Sequence, residues 1–251
     1  MSSYEDGFSA VAGDYASRRP HYPGELFTYL GRVCERHELA WDCAAGTGQA
    51  SIPLTRMFQR VIATDASHAM LKHATRHPRV DYRVARADSS GIPSSSVDLV
   101  TVAQALHWLK LDAFYAEAKR VLVPGGVLAV WTYGVQVLED ERLNSLVQAF
   151  YSDTVGPYWA AERRHVESGY RTLPFPYPEL TAPTFTMHEE WTLAELLGYL
   201  STWSATQNFR KARGQDPVEG LASKLAPLWG DEITRRRISW PLSIRLGRRP
   251  A

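Results

Sequence analysis

"WDCAAGTGQ", Trp41–Gln49, is the stretch that decides the fold. The apolar run that leads into it, "LAWDCA", reads as a buried strand. Two glycines, Gly46 and Gly48, follow within a tight loop, and a helix is expected from about Gln49 to Phe58. A strand, a glycine loop and a helix form the opening unit of a sheet that binds a ligand at its strand ends. A dinucleotide fingerprint has the pattern G-x-G-x-x-G. From Gly46 this chain reads G-T-G-Q-A-S, with Ser51 in the last glycine's slot and Ala44 where such loops often carry glycine. Read backwards from Gly46, the run is D-x-A-x-G-x-G, with Asp42 four residues ahead.

The same alternation continues outward. A helix precedes the loop in "GELFTYLGRVCERHE", with Pro23 at its first position. After the loop, "RVIATD", "VDYRVARAD", "SVDLVTVA" and "VLAVWTY" read as strands. "SHAMLKHATRH", capped by Ser67, and "LDAFYAEAKRVL", stopped by "PGG", read as helices. This order implies right-handed βαβ units in an α/β fold, a Rossmann-like, doubly wound, mostly parallel sheet. Past Gly134 the pattern becomes helical, at about Asp140–Thr154, Leu193–Ser204 and Pro217–Trp229. "TFTMHEEW" and "ISWPLSIRL" are two late strands that bring the sheet to seven. The helices between them form an insertion over the strand ends, a lid. A single domain over residues 1–251 is expected. Its parts are an N-terminal covering segment (1–36), a cofactor-binding core (37–136), a helical substrate and lid region with a late strand (137–235), and a final strand with tail (236–251).

Three aspartates end successive strands: Asp42, Asp65 and Asp88. Asp65 lies 17 residues after Gly48, where a carboxylate suits two ribose hydroxyls, and Asp88 suits an adenine amino group. A pyrophosphate is an awkward neighbour for three carboxylates, whereas a ligand with an ammonium and a sulfonium is a good one. With "ATDASHAML", "ARAD", "SVDLVTVAQALHWL", "VLVPGGVLAVW" and the N-terminal "YASRRPHYP", the chain resembles the class I S-adenosylmethionine-dependent methyltransferases over nearly all of its first 135 residues. "Y…RP.YP" together with "AQALHW" looks like the subgroup of methyltransferase type 11 that contains the trans-aconitate methyltransferases. The resemblance implies S-adenosylmethionine as cofactor. It places Asp42, Ala44, Gly46 and Gly48 around the methionine part, Asp65 on the ribose, and Ala66 and Met70 beside the adenine. Ala87 and Asp88 fall on the adenine edge, and Ala103 and Gln104 near the amino end. Tyr15 and Arg19 close over the cofactor, with Arg19 available to its carboxylate.

No Asn-Pro-Pro-aromatic motif follows the fourth strand, where "AQALHW" stands instead, so the acceptor is expected to be a small molecule. His107 is the candidate general base, because imidazole titrates near neutrality. His107, Trp108 and Trp203 are candidate acceptor contacts. Arg163, Arg164 and Arg171 are the candidate cations for a carboxylate acceptor. His73 and His77 have a spacing that metal sites use, but no third ligand is near, so no metal is expected. "RRR" at 235–237 and the tail arginines read as a solvated strand end and tail.

Composition narrows the remaining classes. The net charge of +1 gives no reason to expect nucleic acid or a membrane surface. Two cysteines, Cys34 and Cys43, exclude a disulfide scaffold. No signal pattern or long apolar run is present, so a cytoplasmic protein is expected; the chain is expected to be a monomer or a homodimer. Two alternatives stand beside the methyltransferase. One is an NAD(P)-dependent oxidoreductase, disfavoured by Ser51 and Asp88. The other is a non-catalytic S-adenosylmethionine-binding protein.

Overall fold

The computed structural model describes residues 19–250. Five strands run parallel: β1 (Leu39–Cys43), β2 (Arg60–Asp65), β3 (Val80–Val84), β4 (Val97–Ala103) and β5 (Leu122–Tyr133). Helices α1 (Gly24–Val33), α2 (Ser51–Leu54), α3 (His68–Lys72) and α4 (Leu111–Val121) accompany them. The second half adds β6 (Val137–Leu138), α5 (Glu141–Ala149), α6 (Arg163–Glu167), β7 (Phe185–Trp191), α7 (Leu193–Ser201), α8 (Ser204–Arg213), α9 (Pro217–Trp229) and β8 (Arg236–Arg248). Strand order starts β3-β2-β1-β4-β5-β8, and the last two strands are antiparallel. The order reverses between β1 and β4, so the cleft for a ligand opens at their carboxyl ends.

The sheet has eight strands, one more than expected. Leu242 pairs with Tyr133 of β5 and with Phe185 of β7, and Ser239 pairs with Val137 of β6 and with His188 of β7. β5 and β6 therefore share one edge of β8, and β7 occupies the other. β6 is a continuation of β5 past an irregular step, so the eight strands fill seven positions. α7, α8 and α9 lie between β7 and β8 in sequence, as the insertion predicts.

Alternation along β5 explains the two-sided core. Val127, Ala129, Trp131 and Tyr133 join one cluster with Leu26, Phe27 and Leu30 of α1. Leu128 and Val130 join the other with Trp41 and with Phe114 of α4. Both faces are covered by helices, which is why the central strands are apolar throughout.

Local chemistry shifts several boundaries. Pro23 is the N-cap of α1 rather than its first residue. α2 is a single turn inside a run of shorter turns, because Pro53 removes an amide from the helical ladder. Ser67 caps α3 as expected, accepting from the Met70 amide at 3.3 Å. The helix expected over Leu193–Ser204 ends at Ser201, and the chain turns at Trp203, whose backbone is extended, into an additional helix, α8. The C-terminal arginines are internal braces more than a solvated tail. Arg236 donates to the Trp229 carbonyl at 2.9 Å and Arg248 to the carbonyls of Gly125 and Val33 at 2.7 Å. Arg245 donates to the carbonyls of Tyr170 and Leu173 at 2.7 Å and pairs with Glu179.

Candidate active site

The loop after β1 is built on left-handed backbone. Ala44 has φ +56°, Gly46 +56° and Gly48 +86°. Ala44 therefore stands where glycine is easier. Gly48 is required twice over, since a Cβ there would lie 2.3 Å from the Tyr82 hydroxyl oxygen. The Gly46 amide donates to Asp65 Oδ2 at 2.8 Å, and the Ser67 amide donates to Oδ1 at 2.8 Å. The carboxylate of Asp65 is thus pinned to the loop at the end of β2. Burial pushes its pKa up, against the pull of those two amides.

Asp42 does something different from the expectation. It is fully buried beneath the loop and does not line the cleft. Ser51 Oγ donates to its Oδ2 at 2.5 Å and Thr101 Oγ1 to its Oδ1 at 2.9 Å. Ser51, the residue in the third-glycine slot, is therefore the hydrogen-bond partner of the motif's own aspartate. Burial raises the Asp42 carboxyl to about 6 despite these two donors.

A cleft of about 860 Å³ opens over the ends of β1, β2, β4 and β5. Of the residues expected at the cofactor, Ala44, Gly46, Asp65, Ala66, Met70, Ala103 and Gln104 line it. Gly48 supports the loop from behind. Ala87 and Asp88 do not reach the lining. The Arg86 guanidinium holds both Asp88 oxygens at 2.9 Å, which takes them from any adenine edge and lowers the carboxyl pKa. Tyr15 lies outside the described residues. Sequence reasoning missed Tyr22, Thr47, Gln49 and Tyr133, which also line the cleft, and gave Trp108, which lines it too, only as an acceptor contact. Tyr22 stands in the quoted "RRPHYP" and Gln49 in the loop itself, so their neighbourhood was readable although their direction was not.

A second cleft of about 610 Å³ adjoins the first and shares Gln104, Trp108 and Tyr133 with it. Gln104 is the strut between them. It has φ +57°, and its side-chain amide pairs with the backbone of Tyr133, accepting from N and donating to O at 3.0 Å each. Thr132 donates to the same Gln104 oxygen. Of the residues expected at the acceptor, His107, Trp108, Arg163 and Trp203 line the second cleft; Arg164 is exposed and outside it, and Arg171 is likewise absent. Arg19 is here rather than over the first cleft. It is buried, with its guanidinium 5.4 Å above the Tyr199 ring and 3.4 Å from the Thr202 carbonyl. Arg163 lies 4.6 Å over Trp159, which joins Trp203 in an aromatic wall. Arg19 and Arg163 line this cleft, and no carboxylate does so among the described residues.

The surroundings of His107 count against the neutral-range base that its residue type predicts. Burial, together with the charges of Arg163 and His165, pushes its pKa down to about 3. The ring is neutral at physiological pH and too weak a base to take a hydroxyl proton efficiently. Its Nδ1 is 2.9 Å from the Tyr170 hydroxyl. Among the described residues no cluster of three metal-ligating side chains occurs, His73 and His77 included. No described helix is long and apolar enough to cross a membrane.

Comparison with known proteins adds three findings. A family model described as a methyltransferase domain matches residues 41–130. A Dictyostelium discoideum chain with a methyltransferase assignment is 34% identical over 227 residues, covering 89% of this chain and 86% of that one. A solved Anaeromyxobacter dehalogenans structure, described as a type II methyltransferase, is 46% identical with a TM-score of 0.87, over 93% of this chain and 99% of that one. The fold is also shared with Haemonchus contortus phosphoethanolamine N-methyltransferase 2, solved with phosphomonomethylethanolamine and S-adenosylhomocysteine. That chain is 16% identical with a TM-score of 0.50, over 100% of this chain and 61% of that one.

Proposed function

The chain belongs to the class I S-adenosylmethionine-dependent methyltransferases, and from that premise we propose that it methylates a small carboxylate held in the second cleft. Its methyl donor is S-adenosylmethionine. The first cleft fits that cofactor by its chemistry. The Asp65 carboxylate is an acceptor for sugar hydroxyls, and Ala44, Ala66 and Met70 offer an apolar floor. Gln49 Nε2 is buried there with no hydrogen-bond partner among the described residues, a donor suited to a polar group of the bound molecule.

When bound, the cofactor supplies a methyl group activated by a sulfonium. The chain's own part is to position, neutralise and dry. Gln104 holds the Tyr133 backbone, and with Trp108 these residues form the wall common to both clefts. Arg19 and Arg163 present two cations to the acceptor, and guanidinium forks match a carboxylate. The Trp159 indole N–H is buried without a partner among the described residues, which supports a polar acceptor beside it. Alignment of this kind accounts for about 7–11 kcal/mol of barrier in favourable cases.

The lining of the second cleft carries the choice of carboxylate: two arginines, no carboxylate among the described residues, and a histidine kept neutral and weakly basic. A hydroxyl acceptor needs a base, and a carboxylate arrives already ionised. The resemblance of "Y…RP.YP" and "AQALHW" to the trans-aconitate subgroup supports the same choice. Product identification from a mixed acceptor panel tests it: a methyl ester is the expected product, and a methylamine or methyl ether would refute the reading.

A further inference from the structure

The ring of His107 is held from one side only. Nδ1 meets the Tyr170 hydroxyl at 2.9 Å, while Nε2 has no hydrogen bond among the described residues and is not sealed from solvent, so it is the nitrogen left to the second cleft. Tyr170 is itself rigid. It is fully buried at φ +63°, donates its amide to the His165 carbonyl at 2.7 Å, and accepts from Arg245 at 2.7 Å. The Thr132 hydroxyl hydrogen is spent on Gln104. The tyrosine's own hydrogen is left for an acceptor, and Nδ1 is the one within 2.9 Å.

We propose that Tyr170 donates its hydroxyl hydrogen to Nδ1 of His107 and so fixes the neutral Nε2–H tautomer, making Nε2–H a hydrogen-bond donor to the methyl acceptor. This rests on the second cleft being the acceptor site. His107 then acts on the acceptor as a neutral donor beside the two arginines, and Tyr170 is a positioning residue. A donor fits a carboxylate acceptor, and no proton moves in the step. A protonated imidazole beside Arg163 would be a third buried cation, and burial and that arginine both oppose it.

The test is nitrogen NMR of histidine-labelled full-length protein with S-adenosylhomocysteine bound, with His107 assigned by its loss in His107→Gln. The expected wild-type spectrum has Nε2 protonated and Nδ1 bare. Tyr170→Phe should release the preference, so that both tautomers are populated. Protonation at Nδ1, or at both nitrogens, in the wild type would overturn the proposal. So would a Tyr170→Phe spectrum identical to wild type. The wild-type spectrum decides the tautomer even where Tyr170→Phe fails to fold. Benzoate is then added as a carboxylate probe and is expected to shift the Nε2–H resonance. A Nε2–H tautomer that ignores every member of a carboxylate series, yet responds to an amine or alcohol, supports the tautomer and counts against the carboxylate reading alone.

Discussion

Ala44 occupies a left-handed backbone, φ +56°, at the mouth of the cofactor cleft. A non-glycine residue in that conformation carries about 1–2 kcal/mol of strain. Glycine relieves it but adds about 0.4–1 kcal/mol of unfolded-chain entropy. Ala44→Gly should therefore raise stability by about 0.5–1 kcal/mol, read as an upward shift in a thermal or urea melt. A loss of stability would mean that the loop depends on the alanine methyl. Asp42 supplies a second prediction, in pH. Its folded pKa, about 6, is raised above the ordinary carboxylate value of 3.8. Its contribution is fully present below pH about 4 and is lost as pH rises through about 6, amounting to roughly 3 kcal/mol at most. His107, with its pKa lowered, runs the other way and loses its contribution as pH falls below its ordinary value. Wild type must therefore be compared with Asp42→Asn. The stability difference between them should move in favour of wild type as pH falls from 7 to 4. A difference independent of pH would show that folding does not shift the Asp42 pKa.

At the scale of elements, the first half of the chain was legible because strand and helix patterns alternate in short local windows. Asp65 was readable for the same reason, since the end of β2 aims it at the loop. Asp88 was not, because Arg86, two residues before it, captures the carboxylate, and a spacing says nothing of a partner. The acceptor cleft draws on the ends of β4 and β5, α6, α7 and the corner before α8, elements far apart in sequence. Arg163 alters His107 across 56 residues of chain, and Tyr170 meets it across 63, so the imidazole's pKa was beyond any local reading. α6 gives the prediction at this scale. Arg163→Ala should raise KM for the acceptor by about 10–100-fold, the loss of a charged hydrogen bond worth about 1.5–3 kcal/mol. The affinity for S-adenosylhomocysteine should stay within about twofold, because Arg163 lines only the second cleft. Calorimetry and steady-state kinetics read the two halves separately. Weakened cofactor binding with unchanged acceptor KM would reverse the roles of the two clefts.

Across the whole molecule, one parallel sheet reverses its strand order between β1 and β4 and opens a cofactor cleft there. The antiparallel β8 and its neighbour β7 frame an inserted run of helices that carries much of the acceptor cleft's aromatic wall. In the proposed reaction donor and acceptor meet across Gln104, Trp108 and Tyr133, the residues common to both spaces. The central claim is that what lies beyond that wall is a carboxylate. It is tested most directly by incubating the protein with S-adenosylmethionine and an equimolar mixture of small carboxylates, amines and alcohols, and identifying the methylated product by mass spectrometry. The account predicts a methyl ester. Methylation confined to an amine or a hydroxyl, with every carboxylate untouched, would contradict it.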